Sequence, residues 1–132
     1  MGANETQVGG AHYRSGYQHW DFVVDVLKCR YLEGCVTKYV TRWRNKNGLE
    51  DLKKARHYLL KMIELSAGEY RAMRYGLILQ HVHHQLSAYY TANLLEVPER
   101  NIIGHVALWR TRADLVMALA ELDCLIESVD PK

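Results

Sequence analysis

The sequence predicts an all-α bundle of four to five helices with an extended, glycine-rich N-terminal arm. Apolar residues recur at intervals of three and four over most of the chain, which is the spacing of an amphipathic helix. No segment alternates apolar and polar residues as a half-buried strand does. Both prolines lie in the last third of the 132 residues, so little interrupts helices before Pro98.

The first part of the chain is predicted to be an arm followed by two helices. Residues 1–17 are glycine-rich and polar and show no periodicity, which is typical of an arm or loop. Apolar residues spaced over 20–31 predict the first helix, which Gly34 breaks or restarts. A second apolar stripe over 36–43 predicts the next helix.

The turn between the second and third helices has a clear signal in Asn47-Gly48. Asn47 is expected to cap the third helix, and Glu50, three residues further on, is expected to close a capping box. Apolar residues over 49–63 form the stripe of this helix, which is expected to end near Gly68.

The second half of the chain is predicted to hold two further long helical segments. The first runs from Glu69 to about Val97 with Leu94 facing inward, and Pro98 marks its end. The second begins at Glu99 and continues as one helix to Ile126. Short turns favour antiparallel neighbours, and we detect no internal repeat.

Three segments are expected: an arm over 1–17, core helices over 18–67, and a helical hairpin over 68–132 that packs on the core. The chain carries no signal peptide and no apolar run long enough for a membrane, so a cytoplasmic protein is expected, with no membrane partner. Three cysteines without a metal-binding spacing are expected to be reduced, half-buried thiols: Cys29, Cys35 and Cys124.

The net charge of +2 is unevenly divided along the chain. Residues 38–61 contain eight basic and two acidic residues, whereas residues 96–132 contain seven acidic and four basic ones. One basic segment on an otherwise acidic protein points to an anionic partner, although a solvated helix face explains a charge run equally simply.

The arm contains residue types that suit a phosphate. Gly9 and Gly10 allow successive backbone N–H groups to converge on an anion, and His12 adds a hydrogen-bond donor. Tyr13 and Trp20 offer aromatic faces for a base. A flexible N-terminus in which the glycines carry no function is the alternative.

The second helix places cations beside aromatic residues. Lys38 and Arg42 are four residues apart and share a face, with Tyr39 and Trp43 on the adjacent stripe. Positive charge for phosphates next to rings for a base suits a nucleotide. The alternative is a helix with its aromatic residues in the core and its cations in water.

Acidic and histidine clusters elsewhere have ordinary structural explanations. Glu50 and Asp51 suit a helix N-terminus, although two carboxylates can also hold Mg²⁺ against substrate phosphates. The cluster of His81, His83 and His84 lacks further ligands, so no metal site is predicted, even with His105 across the bundle.

Three stretches carry a resemblance to a known family: GGAHY at 9–13, WDF at 20–22 and YLEGCVTKYVTRWRNKNGLEDLKKARHYL at 31–59. Together they resemble a small phage family whose members are often called nucleotide kinases, with a GG-x-HY arm and an LEG-x-x-x-KY-x-x-R-x-x-x-KNG-x-EDL-x-KA core. The resemblance covers about residues 8–65. Cys35 stands where a polar residue is usual, and Trp43 where tyrosine is usual.

The resemblance implies a phage origin, a helical fold and a function connected with nucleoside phosphates. In the kinase-like function, a phosphoryl group passes from ATP to a deoxynucleoside monophosphate with Mg²⁺ bridging phosphates, and the site can lie between subunits of a homo-oligomer. The residues expected to handle the acceptor proton are His12, Glu33 or Asp51. The residues expected to bind the nucleotide are Gly9, Gly10, His12, Tyr13, Trp20, Lys38, Tyr39, Arg42 and Lys54.

Two alternatives stay open on the same residues. A non-catalytic protein would sequester a nucleotide signal of host anti-phage defence with the same basic and aromatic pocket. A nucleic-acid-binding protein would instead use the whole basic segment over 38–61, and its affinity would fall steeply with salt.

Overall fold

The computed structural model describes residues 16–26, 30–66 and 79–130, and these residues confirm the predicted all-α bundle. No strand occurs among them, and none of their helices is both long and apolar enough to cross a membrane. The elements are a π-helical segment Asp21–Val26, α1 Tyr31–Arg42, a 3-10 turn Trp43–Asn45, α2 Leu49–Leu65, α3 Leu79–Ala92, α4 Val97–Ala107 and α5 Arg112–Val129.

Four of the helices form the main bundle. Because short turns join α1 to α2 and α4 to α5, each pair is an antiparallel hairpin, and α1 packs on α4 while α2 packs on α5. This arrangement confirms the prediction of antiparallel neighbours. The core between the two hairpins is fully buried and includes Val36, Val40, Leu52, Leu59, Ile102, Ile103, Leu115 and Leu122.

The π-helical segment and α3 pack together against the outside of α1. The Phe22 ring lies parallel to the ring of Tyr89, with centroids 4.0 Å apart. The hydroxyls of Tyr89 and Thr41 are 2.8 Å apart, which links α3 to α1. These contacts place the segment after the arm beside the helix that carries Lys38.

Two hydrogen bonds between tryptophan and glutamate hold α1 and α4 antiparallel. Trp109 Nε1 donates to Glu33 at 2.6 Å, and Trp43 Nε1 donates to Glu99 at 3.0 Å. All four side chains are buried. Each helix has a glutamate near its start, and a tryptophan follows ten residues later, just past the end of the helix. The two bonds therefore lie at opposite ends of the contact.

Although no internal repeat was expected, residues 33–63 and 99–126 share one pattern, which we call the internal repeat. Each begins with glutamate, has Trp-Arg starting ten residues after it, and continues with Asp-Leu. Apolar residues lie three, seven, ten and eleven positions after that leucine, and nearly all of them are buried. The turn before Asp-Leu is three residues shorter in the second copy. Few identities connect the copies, which is why their similarity emerges only from the burial pattern.

Two predicted helix boundaries are wrong for local reasons. Gly34 lies inside α1 and does not break it; an added Cβ there would lie 3.3 Å from Val23 Cγ1, so glycine lets the π-helical segment approach. The final helix is two helices, because the chain breaks after Leu108. Thr111 caps α5, and the Asp114 carboxylate accepts its backbone N–H at 3.2 Å in a capping box.

The start of α2 also differs from the expectation. Gly48 is the N-cap, with φ of +58°, a backbone conformation that favours glycine. Asp51, and not Glu50, reaches back and accepts the Asn47 backbone N–H at 3.2 Å. Leu94, which was expected to face inward, is 85% exposed because it lies beyond the end of α3.

Cysteine placement confirms part of the prediction. Cys35 is half-buried, whereas Cys124 is exposed on α5, so the expectation of a half-buried thiol is wrong there. Two predictions lie outside the described residues. One is the segment boundary between residues 67 and 68, and the other is the first part of the predicted long helix, residues 69–78.

Candidate functional site

The predicted site divides into a part that the structure describes and a part that it does not. Gly9, Gly10, His12 and Tyr13 lie outside the described residues. The remaining predicted nucleotide-binding residues lie on α1 and α2 and on the segment before α1: Trp20, Lys38, Tyr39, Arg42 and Lys54.

Three of the predicted cations surround the ring of Tyr39. Arg42 Cζ lies 4.7 Å from the ring centroid, and the Nζ atoms of Lys38 and Lys54 each lie 5.6 Å from it. Two of the cations come from α1 and the third from α2. All three lie within the distance at which a cation is attracted to an aromatic ring. We call Lys38, Tyr39, Arg42 and Lys54 the cation cluster.

A row of tyrosines extends from the cation cluster toward solvent. The ring of Tyr58 on α2 lies nearly parallel to that of Tyr39, with centroids 5.9 Å apart. Tyr31 meets Tyr58 edge-on at 6.4 Å and is 74% exposed. We call Tyr31, Tyr58 and Tyr39 the tyrosine row. Its outer end presents an aromatic side chain to solvent, and its inner end is ringed by positive charge.

The tyrosine row was not predicted from the sequence, although the spacing of two tyrosines and the place of the third in the resembled motif pointed to it. Tyr31 and Tyr39 are eight residues apart with Cys35 midway, which is the spacing of one helical stripe. A side-chain hydrogen bond with Cys35 raises the pKa of Tyr31, consistent with that shared face. Tyr58 is part of the resembled motif, but only the packing of α2 against α1 brings it to Tyr39.

Asp51 holds Arg42 in place inside the cation cluster. The Arg42 guanidinium lies 3.3 Å from Asp51 Oδ1, and the Asp51 side chain is fully buried. The same carboxylate also accepts from the backbone N–H of Asn47 at 3.2 Å and from its side-chain amide at 3.4 Å. Both oxygens of Asp51 are therefore engaged in joining α1 to the turn before α2.

Lys54 has a weaker partner. Its Nζ lies 3.2 Å from Glu50, one helical turn earlier, and both side chains are largely exposed. Pairs of this kind contribute roughly 0.3–0.5 kcal/mol to stability. Glu50 therefore does little to fix Lys54, and an anion of higher charge can take its place.

His19 lies beside Lys38 at the edge of the cation cluster. Its Nε2 is 2.8 Å from the hydroxyl of Thr37, which itself donates to the backbone carbonyl of Glu33 at 3.0 Å. When the single Thr37 hydroxyl proton is donated to Glu33, the His19 imidazole donates to Thr37 from Nε2. Burial, together with the positive charge of Lys38, lowers the pKa of His19 to about 3. The imidazole is therefore neutral at pH 7.

The two tryptophans of the predicted pocket differ in their surroundings. Trp20 follows His19 and leaves 49% of its surface exposed. Trp43 is buried, with its N–H donated to Glu99 and the Arg44 guanidinium 4.3 Å from its ring centroid. Trp43 therefore belongs to the core, whereas Trp20 is accessible.

Glu33 lies far from Asp51, so the two predicted carboxylates do not converge. Arg42 lies nine positions after Glu33 on α1, which corresponds to roughly 14 Å along a helix. Glu33 is 1% exposed and accepts hydrogen bonds from Trp109 Nε1 and from the Arg30 backbone N–H. Its contacts tie the start of α1 to the turn between α4 and α5.

The basic segment over 38–61 does not form one continuous positive surface. Five of its eight basic residues pair with carboxylates, several of which come from the C-terminal half. Arg44 pairs with Glu99 at 2.8 Å and Arg56 with Asp123 at 2.6 Å. Pairing therefore offsets much of the positive charge of this segment in the folded chain, and Arg42 and Lys54 beside Tyr39 are among the paired residues.

No group of three or more potential metal ligands occurs among the residues that the structure describes. His83 and His105 line an open cavity of about 470 Å³ between α3 and α4, next to Arg100 and Tyr90. Burial raises the pKa of Tyr90 to about 12, so its hydroxyl stays protonated and donates to the Arg100 carbonyl at 3.1 Å.

One comparison with known proteins gives a match. Residues 9–60 match the model of a family described only as a protein of unknown function, DUF3310. The matched stretch includes the second half of the glycine-rich arm, α1 and most of α2, and therefore contains the whole cation cluster. No curated protein and no solved structure gives a match to the chain.

Proposed function

We propose that this protein binds a nucleoside phosphate at the cation cluster. The observation that carries the proposal is the convergence of Lys38, Arg42 and Lys54 on the ring of Tyr39, each within 5.6 Å. Three cations held around one ring favour an anion with several charged oxygens, because each ammonium or guanidinium group can make a charge-assisted hydrogen bond.

The three cations have different parts in this proposal. Arg42 is anchored by the buried Asp51 carboxylate, which offsets its charge, so it contributes guanidinium N–H donors in a fixed position. Lys38 and Lys54 carry flexible side chains, and the exposed Glu50 binds Lys54 only weakly. Both lysines can therefore turn toward a phosphate without breaking a buried contact.

The tyrosine row suggests a nucleotide in preference to inorganic phosphate. One face of Tyr39 is covered by Tyr58, and Arg42 lies over the ring, so Tyr39 holds cations and does not stack a base. Tyr31 is 74% exposed and lies eight residues before Tyr39, roughly 12 Å along the helix. A base can stack on Tyr31 while its phosphates reach Lys38 and Lys54. The arm with Gly9, Gly10, His12 and Tyr13 is proposed as the opposite wall.

Binding without phosphoryl transfer is the form of this function that we favour. A kinase-like reaction toward deoxynucleoside monophosphates needs a carboxylate or imidazole that accepts a proton, and Mg²⁺ with ATP. Asp51 and Glu33 are both buried and engaged in hydrogen bonds that join elements of the bundle. These two carboxylates suit positioning roles, and the third predicted proton acceptor, His12, lies outside the described residues. On the described residues we therefore favour sequestration of a nucleotide, such as a signal of anti-phage defence, over its conversion.

Calorimetric titration with a panel of ligands tests the proposal. The panel contains nucleoside mono-, di- and triphosphates, cyclic dinucleotides, inorganic phosphate and a single-stranded oligonucleotide, and each mixture is analysed by chromatography. We expect at least one nucleotide to bind and to be recovered intact. Conversion of a monophosphate in the presence of ATP and Mg²⁺ would establish the kinase-like function, and the absence of any binding would overturn the proposal.

A further inference from the structure

Helix α5 presents a second apolar stripe on its exposed side. While Leu115, Leu122 and their neighbours face the core, a different set of small and apolar residues faces away from it. Val116 is 48% exposed and Met117 is 53% exposed. We call this set the outer stripe: Ala113, Val116, Met117, Ala120 and Cys124.

The internal repeat supplies a comparison within the same chain. When Asp51-Leu52 is aligned with Asp114-Leu115, each position of the outer stripe corresponds to a position on α2. The inner positions of the two helices match in burial and apolar character. The outer positions do not match, because those of α2 are charged or titratable: Glu50, Lys53, Lys54, His57 and Lys61.

This difference indicates that α5 is covered on its outer side and α2 is not. A helix at the surface of a bundle normally has one apolar face, and a helix that is apolar on both faces is buried on both. The outer positions of α2, which face water, carry charged or titratable residues. On α5 the same positions form a stripe more than ten residues long.

We propose that a second copy of this chain covers the outer stripe, with the two α5 helices packed antiparallel. Arg112 at the start of α5 and Glu127 near its end flank the stripe on the same side of the helix, and both are exposed. An antiparallel, two-fold arrangement places Arg112 of each chain next to Glu127 of the other. A parallel two-fold arrangement would place the two Arg112 side chains on opposite edges of the contact and would not bring them to Glu127.

The side chains of the stripe suit a close contact between helices. Ala113 and Ala120 are small, so the partner helix can approach, and Met117 near the middle can adjust to fill gaps. One pair of helix faces buries less than the roughly 1,200 Å² of total surface that stable specific interfaces reach. We therefore expect a dimer that dissociates on dilution.

Sedimentation equilibrium of the full chain from about 1 µM to about 500 µM, the range of a weak interface, tests this inference. The wild-type mass should rise from 15.3 kDa toward twice that value with concentration. The Val116→Lys, Met117→Lys double variant carries the lysines that α2 has at these positions and should remain monomeric. Leu94→Lys, which replaces another exposed apolar residue off the stripe, should behave as wild type.

Charge reversal tests the antiparallel arrangement. Arg112→Glu alone and Glu127→Arg alone should each weaken dimerisation several-fold, and the two together should restore it. Circular dichroism confirms that each variant retains the wild-type helix content. A wild-type chain that is monomeric at all concentrations would overturn the proposal, as would assembly that the two lysines leave unchanged. Failure of the double reversal to restore assembly would overturn the antiparallel arrangement.

Discussion

Acidification should destabilise this protein through His19. The imidazole is held neutral in the folded chain, where its pKa is about 3, and regains its ordinary pKa of 6.5 on unfolding. Between these two values the unfolded chain binds more protons than the folded chain does. The free energy of unfolding therefore decreases as the pH falls below about 6.5, and the contribution of His19 is fully present only above that pH.

The size of the effect follows from the pH interval. Each pH unit below 6.5 favours the unfolded chain by about 1.4 kcal/mol, as long as the pH stays well above the folded-state pKa. Between pH 7 and pH 5, the loss attributable to His19 is about 2 kcal/mol. Since pH 5 is far above the folded-state pKa of about 3, this figure depends little on how low that pKa lies.

Urea unfolding of wild type and His19→Gln at pH 7 and pH 5 measures this loss. Glutamine can still donate a hydrogen bond to Thr37 from the position of Nε2, but it does not titrate. Wild type should lose about 2 kcal/mol more than the variant between the two pH values. A His81→Gln variant, which lacks an exposed imidazole, should follow wild type. Equal losses for wild type and His19→Gln would refute the assignment of a half-buried, neutral imidazole.

Three further substitutions test separate parts of the structure by chemical denaturation. Asp51→Asn removes the carboxylate that faces Arg42 and should lower the free energy of unfolding by about 3 kcal/mol. A loss below about 1 kcal/mol would contradict a buried ion pair. Gly48→Ala should cost about 1–2 kcal/mol from backbone strain alone, since φ is +58° and an added Cβ meets nothing within 4 Å; an unchanged stability would argue against this turn. Trp109→Phe keeps a ring in the core but removes the donor to Glu33, and should cost about 2 kcal/mol; a neutral effect would mean that the bond contributes nothing.

The helical fold is predictable because its signal is local. Apolar residues that recur every three or four positions mark the face of a helix that is buried, and the stripes on α1, α2 and α5 are indeed the buried faces. The break between α4 and α5 was also encoded locally, in Thr111 and Asp114, but apolar periodicity continues across it and hides it. Leu94 fits the same periodicity although it lies past the end of α3, so spacing alone misplaces it.

The cation cluster is predictable only in part, for the same reason. Lys38 and Arg42 share a helical face by their spacing, so their position beside Tyr39 follows from the sequence. The approach of Lys54 and Tyr58 depends on how α2 packs against α1, and that contact has no local signature. The engagement of Asp51 by Arg42 is likewise a contact between elements, and it changes the role expected for this carboxylate.

The internal repeat is hard to detect from sequence identity, because few residues are the same in the two copies. The two copies share a glutamate, a tryptophan and an Asp-Leu pair, but their outer faces differ in almost every residue. Only the burial pattern and the reciprocal bonds of Trp43 with Glu99 and Trp109 with Glu33 make the relation evident. The same comparison isolates the cation cluster as a property of the first copy alone.

In the proposed function, Lys38 and Lys54 bind the phosphates of a nucleotide beside Tyr39, and calorimetry on paired variants tests this binding most directly. Lys38→Gln, Lys54→Gln removes two charges from the cation cluster, and Lys53→Gln, Lys61→Gln removes two from the same surface outside it. With the tightest nucleotide of the panel, the first variant should bind at least about tenfold more weakly, a loss of about 1.4 kcal/mol, and the second should bind as wild type does. Equal affinities for both variants would contradict the claim.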